Sequence, residues 1–248
     1  MWEERPGPSG ALAVYESTNS RGAGSGVVVV VHGFPPDRGP RGLIPASLVS
    51  MSESIASQSG FRVLGCCLRG VGMSEGDFSL DGWLQDLSSI VDWAASLSPS
   101  GGVWIVGLGL GGALALCVAS ADPKVKGVAA LSAPATFSDW MSDPGEALSF
   151  AKEMGLIGPQ ADSVDVSQWA RPFAEIDPLA CAGKLGDRSV LVLHGSDDEI
   201  VPVADSRRIV GVVGASAELR VLQGAGHRLN SDPRAVALIL GWLERQRV

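Results

Sequence analysis

The sequence predicts an α/β protein with a mostly parallel, twisted sheet, helices on both faces and a short helical lid. Apolar β-branched runs alternate with stretches of helical spacing along the chain, and this alternation is typical of βαβ units. At 248 residues and 46% hydrophobic composition, the chain is long enough to bury one large core. We therefore expect a single domain over residues 1–248, with the lid as an insertion at residues 135–186.

Six apolar runs are predicted to be strands, and each of them ends at a loop. In open α/β sheets, ligands bind outside the carboxyl ends of the strands, so side chains in these loops are candidates for a site. The six runs are Val27–Val31, Arg62–Leu68, Val103–Gly107, Val125–Leu131, Ser189–His194 and Ala217–Leu222.

Two helices have recognisable starts. In the stretch from Asp81 to Ser96, apolar residues recur at three- and four-residue spacing, and Asp81 is predicted to be the N-cap. The closing helix is predicted to start after Ser231 or Asp232, with Pro233 in its first turn, where the missing N–H group costs nothing.

Residues 135–186 interrupt the alternation with a long connection rich in Trp, Phe and Met. Connections of this length are commonly functional insertions, and here we expect a small helical lid. Its apolar side chains either line a substrate pocket or pack the lid onto the sheet. The candidates for pocket lining are Phe137, Trp140 and Met141, followed by Phe150, Met154, Trp169 and Phe173.

The charge balance argues against several classes of partner. Nineteen basic and 27 acidic side chains give a net charge of −8, which repels the phosphates of nucleic acids and anionic lipids. The opening residues MWEERPGPSG lack the basic and then apolar pattern of a secretory signal. We expect a cytoplasmic protein that binds neither nucleic acid nor membranes.

Four cysteines are present, and their spacing is that of neither a metal site nor a disulfide framework. This usage suits a reducing compartment, and we expect all four to be small, buried apolar side chains. Cys117 follows Gly109 by two helical turns, which is too far to replace a nucleophile at that position. The others are Cys66, Cys67 and Cys181.

Five motifs occur at the predicted loops: VVVVVHGFPP, LRGVGMSEG, VGLGLGG, VLHGSDDEIVP and GAGHRLN. By these motifs and their order, the chain resembles the α/β hydrolases, in particular the compact serine esterases, lysophospholipases and S33-peptidase-like members. The similarity runs from about Ala11 to the C-terminus. It implies the α/β-hydrolase fold, descent from a hydrolase of esters, thioesters or amides, a small hydrophobic acyl-type ligand and no cofactor.

The resemblance assigns two backbone N–H groups to an oxyanion hole. One belongs to Phe34, in the HGF motif after the first long strand, and the other to Leu110, which follows the nucleophile position. His32 lies in the same loop and is interpreted as a hydrogen bonder that shapes it.

The resemblance also assigns an acid and a base. Asp198 precedes the Val-Pro pair in the pattern of the triad acid, with Asp197 as the alternative, while His194 is interpreted as structural. His227 occupies the position of the general base, in the loop after the last predicted strand. A carboxylate beside this histidine would fix its tautomer and stabilise its protonated form.

The nucleophile position itself is a glycine. The family pattern is Gly-x-Ser-x-Gly, whereas this chain has Gly107, Gly109 and Gly111 at the three fixed positions. Glycine tolerates a positive φ, so the turn is expected to persist. It has no side chain to attack a carbonyl, which excludes ordinary serine hydrolysis. Ser132, at the end of the next strand, is the only nearby replacement that the sequence suggests.

Three explanations of the glycine remain open. In the first, the protein is a pseudo-hydrolase that binds a ligand or partner in the old pocket. In the second, His227 and Asp198 activate water directly. In the third, the glycine was introduced to trap a bound ligand or arose in cloning. A separate hypothesis gathers His32, His194, His227 and Asp198 around zinc, which needs three or four converging ligands. Their family positions serve separate roles, so no metal is expected.

Overall fold

The computed structural model describes residues 1–8, 10–17, 26–34, 45–137, 141–158 and 164–247. Its described strands form one eight-stranded sheet in the order β1-β2-β4-β3-β5-β6-β7-β8. The strands are β1 (Trp2–Gly7), β2 (Gly10–Glu16), β3 (Val27–Val31), β4 (Arg62–Cys66), β5 (Val103–Leu108), β6 (Val125–Leu131), β7 (Ser189–Gly195) and β8 (Ala217–Leu222).

The pairing confirms the mostly parallel sheet. All pairs from β4 through β3, β5, β6 and β7 to β8 are parallel. Strands β1 and β2 form an antiparallel hairpin on the β4 edge, and the sequence patterns did not predict them. Strand β1 carries charged residues and Pro6, which are tolerated because it is an edge strand with one neighbour.

Helices cover both faces of the sheet. Helices α1 and α8 pack against each other, whereas α2, α3, α6 and α7 pack in succession. All five valines of β3 are buried, as expected for a strand covered on both faces. The helices are α1 (Ala46–Ser59), α2 (Leu80–Leu97), α3 (Leu110–Ala121), α4 (Pro144–Glu153), α5 (Val166–Glu175), α6 (Pro178–Ala182), α7 (Val203–Val213) and α8 (Pro233–Glu244).

Of the two predicted helix starts, that of α8 is confirmed and that of α2 is wrong. Asp232 caps α8, because its side chain accepts a hydrogen bond from the Arg234 N–H group. The prediction that Asp81 caps α2 is wrong: the cap is Ser79, whose hydroxyl accepts the Gly82 N–H group at 3.1 Å. Asp81 lies two residues after the cap, in the first turn of α2, where a carboxylate still interacts favourably with the helix dipole.

Three cysteines match the expectation and one differs from it. Cys66, Cys67 and Cys117 are buried, while Cys181 at the end of α6 is half-buried. A hydrogen bond from the Cys117 thiol lowers the pKa of Cys181 to about 7, whereas burial raises the pKa of Cys67 to about 12. Cys181 is therefore partly exposed, and its neighbour Cys117 favours the thiolate form.

Helices α4, α5 and α6 lie between β6 and β7, in the segment predicted to be a lid. Trp169 and Phe173 are 7% and 6% exposed, and the Trp169 indole N–H donates to the Phe78 carbonyl at 3.2 Å. Helix α5 is thus held against the entry to α2. Trp140 lies outside the described residues. Among the helices described, none has the length and apolar content to cross a membrane.

Candidate active site

The turn from β5 to α3 has the predicted strand-turn-helix form. Gly109 sits between Leu108 and Leu110 with φ 49° and ψ −119°, a backbone conformation that is strained for residues with a side chain. Its N–H group donates to the Leu131 carbonyl at 2.7 Å, which ties the turn to the end of β6. The turn therefore presents position 109 at the carboxyl edge of the sheet.

The other glycines of this turn are required by close backbone contacts. A Cβ atom at Gly107 would lie 2.5 Å from the Gly111 carbonyl oxygen, and one at Gly111 would lie 2.2 Å from the His32 carbonyl oxygen. Position 109 is different, because a Cβ atom there would meet nothing nearer than His227 Nε2 at 3.4 Å. Space for a side chain exists at position 109, and the side chain would face the histidine.

His227 and Asp198 are paired as predicted for an acid and a base. The His227 Nδ1 atom lies 2.9 Å from Asp198 Oδ2 and 3.1 Å from Oδ1. The side chains are 16% and 1% exposed, so the pair is shielded from water on the carboxylate side. Because the carboxylate accepts at Nδ1, the Nε2 atom is the one directed at position 109.

Asp198 is held in its ionised form. Burial alone would raise the pKa of its carboxyl group, but hydrogen bonds from His194, His227 and the N–H groups of Val201 and Ile200 hold it well below its usual range. The two backbone N–H groups lie 2.9 and 3.0 Å from Oδ1. A permanent negative charge therefore lies behind the His227 ring.

His194 supports this carboxylate and is fully buried. Its Nε2 atom lies 2.8 Å from the Val201 carbonyl oxygen and 3.2 Å from Asp198 Oδ2, while Nδ1 lies 2.6 Å from the Ser206 hydroxyl. Since both neighbours of Nε2 are acceptors, Nε2 carries the proton. These contacts fit the structural role interpreted for His194.

Close contact between two loops sets the position of the pair. A Cβ atom at Gly195 would lie 2.2 Å from the Ala225 carbonyl oxygen, so the β7 and β8 loops touch there. The Asp197 N–H group donates to the same carbonyl at 2.9 Å. The Asp197 side chain instead accepts from the Ser196 hydroxyl at 2.6 Å, and among the described residues no hydrogen bond or ion pair joins it to His227.

His32 shapes the loop after β3. Its Nε2 atom accepts the Leu68 N–H group at 3.1 Å, and Nδ1 lies 3.0 Å from the Gly33 carbonyl oxygen. These partners require a proton on Nδ1 and none on Nε2. The ring edge packs on Trp83, with 4.9 Å between centroids. These contacts agree with the interpretation of His32 as a loop-shaping residue.

Two cavities meet at Phe34 and Ile200, beside position 109. We call the smaller one the recess; it has a volume of about 90 Å³ and reaches Gly109 and His227. We call the larger one the chamber; it has a volume of about 520 Å³. The chamber is lined mainly by apolar and aromatic side chains: Phe34, Phe78, Leu110, Met141, Ala147, Phe150, Trp169, Phe173 and Ile200.

Comparison with known protein families identifies the family of this chain. The family model described as "alpha/beta hydrolase fold" matches residues 26–155, which is more than half of the chain. The chain belongs to the alpha/beta hydrolase fold family.

Relatives of this α/β hydrolase family member include named esterases and a lipase. The monoacylglycerol lipase of Mycolicibacterium smegmatis is 24% identical over 249 residues, covering 84% of this chain and 89% of that protein. Est1E from Butyrivibrio proteoclasticus has a TM-score of 0.71 at 20% identity, covering 98% of this chain and 96% of its own. The Pyrococcus furiosus esterase Pf2001 has a TM-score of 0.72 at 19% identity, covering 100% and 92%.

The predicted pocket residues of this α/β hydrolase occupy different places. Met141 lines the chamber, whereas Phe137 is buried and lines a neighbouring cavity of about 710 Å³ beside α5, which Met141 also lines. Sequence reasoning missed Phe78, whose ring lies 5.0 Å from that of Phe34. Local patterns could not reveal this pair, because the two residues are far apart in the sequence.

Ser132 is not placed to replace a nucleophile in this α/β hydrolase. It follows β6 with φ 48° and is 1% exposed. Within the described residues its hydroxyl has no hydrogen-bond partner, and it lines neither the recess nor the chamber. Among the described residues, no group of three or more His, Cys, Asp or Glu side chains is arranged for a metal ion.

Proposed function

We propose that this protein is a pseudo-hydrolase that binds an apolar acyl-type ligand and does not cleave it. The observation that carries the proposal is position 109, where glycine leaves empty the space directly in front of His227 Nε2, 3.4 Å from where a Cβ atom would lie. An acyl-enzyme intermediate needs a nucleophilic side chain at that point. The acid and the base remain, and the atom that would attack the carbonyl is missing.

The chamber supports ligand binding. A volume of about 520 Å³ falls within the usual range for sites that hold small organic molecules. Its aromatic side chains favour a hydrophobic acyl group. We interpret helices α4 to α6 as the lid over this chamber. Among the similar solved structures, Est1E has been determined with ferulic acid bound.

Backbone N–H groups are proposed to orient the polar end of the ligand. Leu110 is the first residue of α3, and the N-cap Gly109 supplies no side chain to cap this helix. The loop after β3, which carries Phe34, lies beside the start of α3, since a Cβ atom at Gly109 would be 3.8 Å from Gly33 Cα. N–H groups of Phe34 and Leu110 in this arrangement would bind the oxygen of an acyl group.

A second candidate function is favoured by the His227 ring. Among the described residues, Nε2 has no hydrogen-bond partner, while Nδ1 is held by an ionised carboxylate. A water molecule in the space at Gly109 could give its proton to Nε2 and attack an ester directly. This candidate predicts that the protein hydrolyses a nitrophenyl ester faster than buffer does, and that His227→Ala removes the difference.

The proposed function predicts that the protein retains an intact ester. We expect about one methyl decanoate per chain after incubation, desalting and extraction, with no decanoic acid formed. Ala147→Trp, which fills the chamber, should abolish retention, whereas Ser149→Trp on the exposed side of the same helix should not. Conversion of the ester to acid and methanol, or equal retention by both variants, would show that the proposal is wrong.

A further inference from the structure

Helix α6 packs against α3 and brings two cysteines together. Cys117 lies in the second half of α3 and is 5% exposed, whereas Cys181 lies near the end of α6 and is half-buried. The two thiols are joined by a hydrogen bond. Because the two residues are far apart in the sequence, the packing of the two helices is what makes their sulfur atoms neighbours.

The surroundings of this cysteine pair favour a thiolate on Cys181. The hydrogen bond from the Cys117 thiol lowers the pKa of Cys181, against the effect of burial. The Lys184 ammonium group also lowers that pKa, and the Asp177 carboxylate opposes it. The same hydrogen bond and burial raise the pKa of Cys117, so Cys117 keeps its proton. A partly exposed thiolate beside a thiol is the arrangement of a reacting and a resolving cysteine.

Cys66 and Cys67 provide a contrast within the same chain. Both are 0% exposed. Burial raises the pKa of Cys67 to about 12 and holds that of Cys66 well above its usual range. Since the thiolate is the reactive form of cysteine, we expect these two thiols to stay reduced under conditions in which Cys181 reacts.

We propose that Cys117 and Cys181 form a redox site, in which hydrogen peroxide reacts at Cys181 and the pair closes to a reversible disulfide. The bond would tie α6, the last helix of the segment predicted to be a lid, to the helix that follows position 109. This inference goes beyond the proposed ligand binding and does not depend on it.

The reaction has two steps. In the first, the Cys181 thiolate attacks one oxygen of hydrogen peroxide, the O–O bond breaks, and hydroxide leaves and takes up a proton to become water, so that Cys181 becomes a sulfenic acid. In the second, the Cys117 sulfur attacks the Cys181 sulfur, an S–S bond forms as the S–O bond breaks, and the departing hydroxide leaves as water with the proton of the Cys117 thiol. Two thiols lose two electrons in total, and one peroxide is reduced to two molecules of water.

The unaltered, folded protein provides the main test. It is reduced, freed of reductant and treated at neutral pH with a peroxide dose that oxidises N-acetylcysteine completely. We expect the intact mass to fall by about 2 Da as two thiols become a disulfide. A digest made at acidic pH should contain a peptide pair linked through Cys117 and Cys181, and dithiothreitol should restore both thiols.

Variants separate the roles of the two sulfur atoms. Cys117→Ser keeps a hydroxyl beside Cys181 but removes the resolving sulfur, so Cys181 should be trapped by dimedone as a sulfenic acid and gain about 32 Da in excess peroxide. Cys181→Ser should leave Cys117 reduced, because that thiol is buried and protonated. Cys67→Ala is the matched control and should form the linked peptide as the unaltered protein does.

Three results would overturn the inference: recovery of all four free thiols after the treatment, a disulfide through Cys66 or Cys67, or a disulfide between two chains. Oxidation of Cys117 in Cys181→Ser at the rate of the unaltered protein would contradict the assignment of Cys181 as the reacting sulfur. Because the linked peptide is sought in the unaltered protein, the test does not depend on the folding of any variant.

Discussion

Gly109→Ser is expected to turn the protein into a serine hydrolase. The new side chain has room, because its Cβ atom would meet His227 Nε2 at 3.4 Å and Gly33 Cα at 3.8 Å. The hydroxyl would then lie beside a base that is oriented by an ionised carboxylate. We expect labelling by a fluorophosphonate and a rise of at least about 10³-fold in the hydrolysis rate of short nitrophenyl esters.

Two controls make this result specific. Gly109→Ala carries the same backbone strain, about 1 to 3 kcal/mol, but has no hydroxyl, so it should be neither labelled nor active. The double variant Gly109→Ser/His227→Ala should lose most of the gained activity. A folded Gly109→Ser protein that is neither labelled nor active would show that the acid, base and N–H groups are not arranged for catalysis.

Gly111→Ala should destabilise the protein far more than Gly109→Ala. Its Cβ atom would lie 2.2 Å from the His32 carbonyl oxygen, a backbone atom that moves only if the β3 loop and α3 separate. We expect a loss of about 4 kcal/mol or more in the free energy of unfolding, against about 1 to 3 kcal/mol from strain in Gly109→Ala. Urea unfolding curves of the two variants measure the difference.

Gly211→Ala in α7 is the matched control for this series. No atom lies within 4 Å of a Cβ atom at that position, so the variant should be as stable as the parent or more stable by up to about 1 kcal/mol. Equal stability of Gly111→Ala and Gly109→Ala would contradict the close contact between the β3 loop and α3.

Much of the sheet was predictable because its inner strands are buried on both faces. Runs such as Val27–Val31 are apolar without interruption, and the glycine turns between strand and helix are visible as motifs. Strands β1 and β2 were missed because an edge hairpin needs no continuous apolar pattern. The start of α2 was misplaced by two residues because Asp81 and Ser79 are both good caps.

The loop residues of the candidate site were predictable from the sequence, whereas the residues that line the chamber were not. Asp198 and His227 belong to recognisable motifs, and the structure brings them within hydrogen-bonding distance. Their catalytic roles stay predictions. The chamber depends on contacts between distant segments, such as the ring of Phe34 against that of Phe150, and no local pattern determines such contacts.

The hydrolysis rate of a nitrophenyl ester tests the central claim most directly, measured for the unaltered protein, for His227→Ala and for buffer. With no nucleophile at position 109, we expect the two proteins to give the same rate, about 10³-fold or more below that of Gly109→Ser. A rate for the unaltered protein that stands well above buffer and falls to the buffer value in His227→Ala would contradict the account, because His227 and Asp198 would then be activating water.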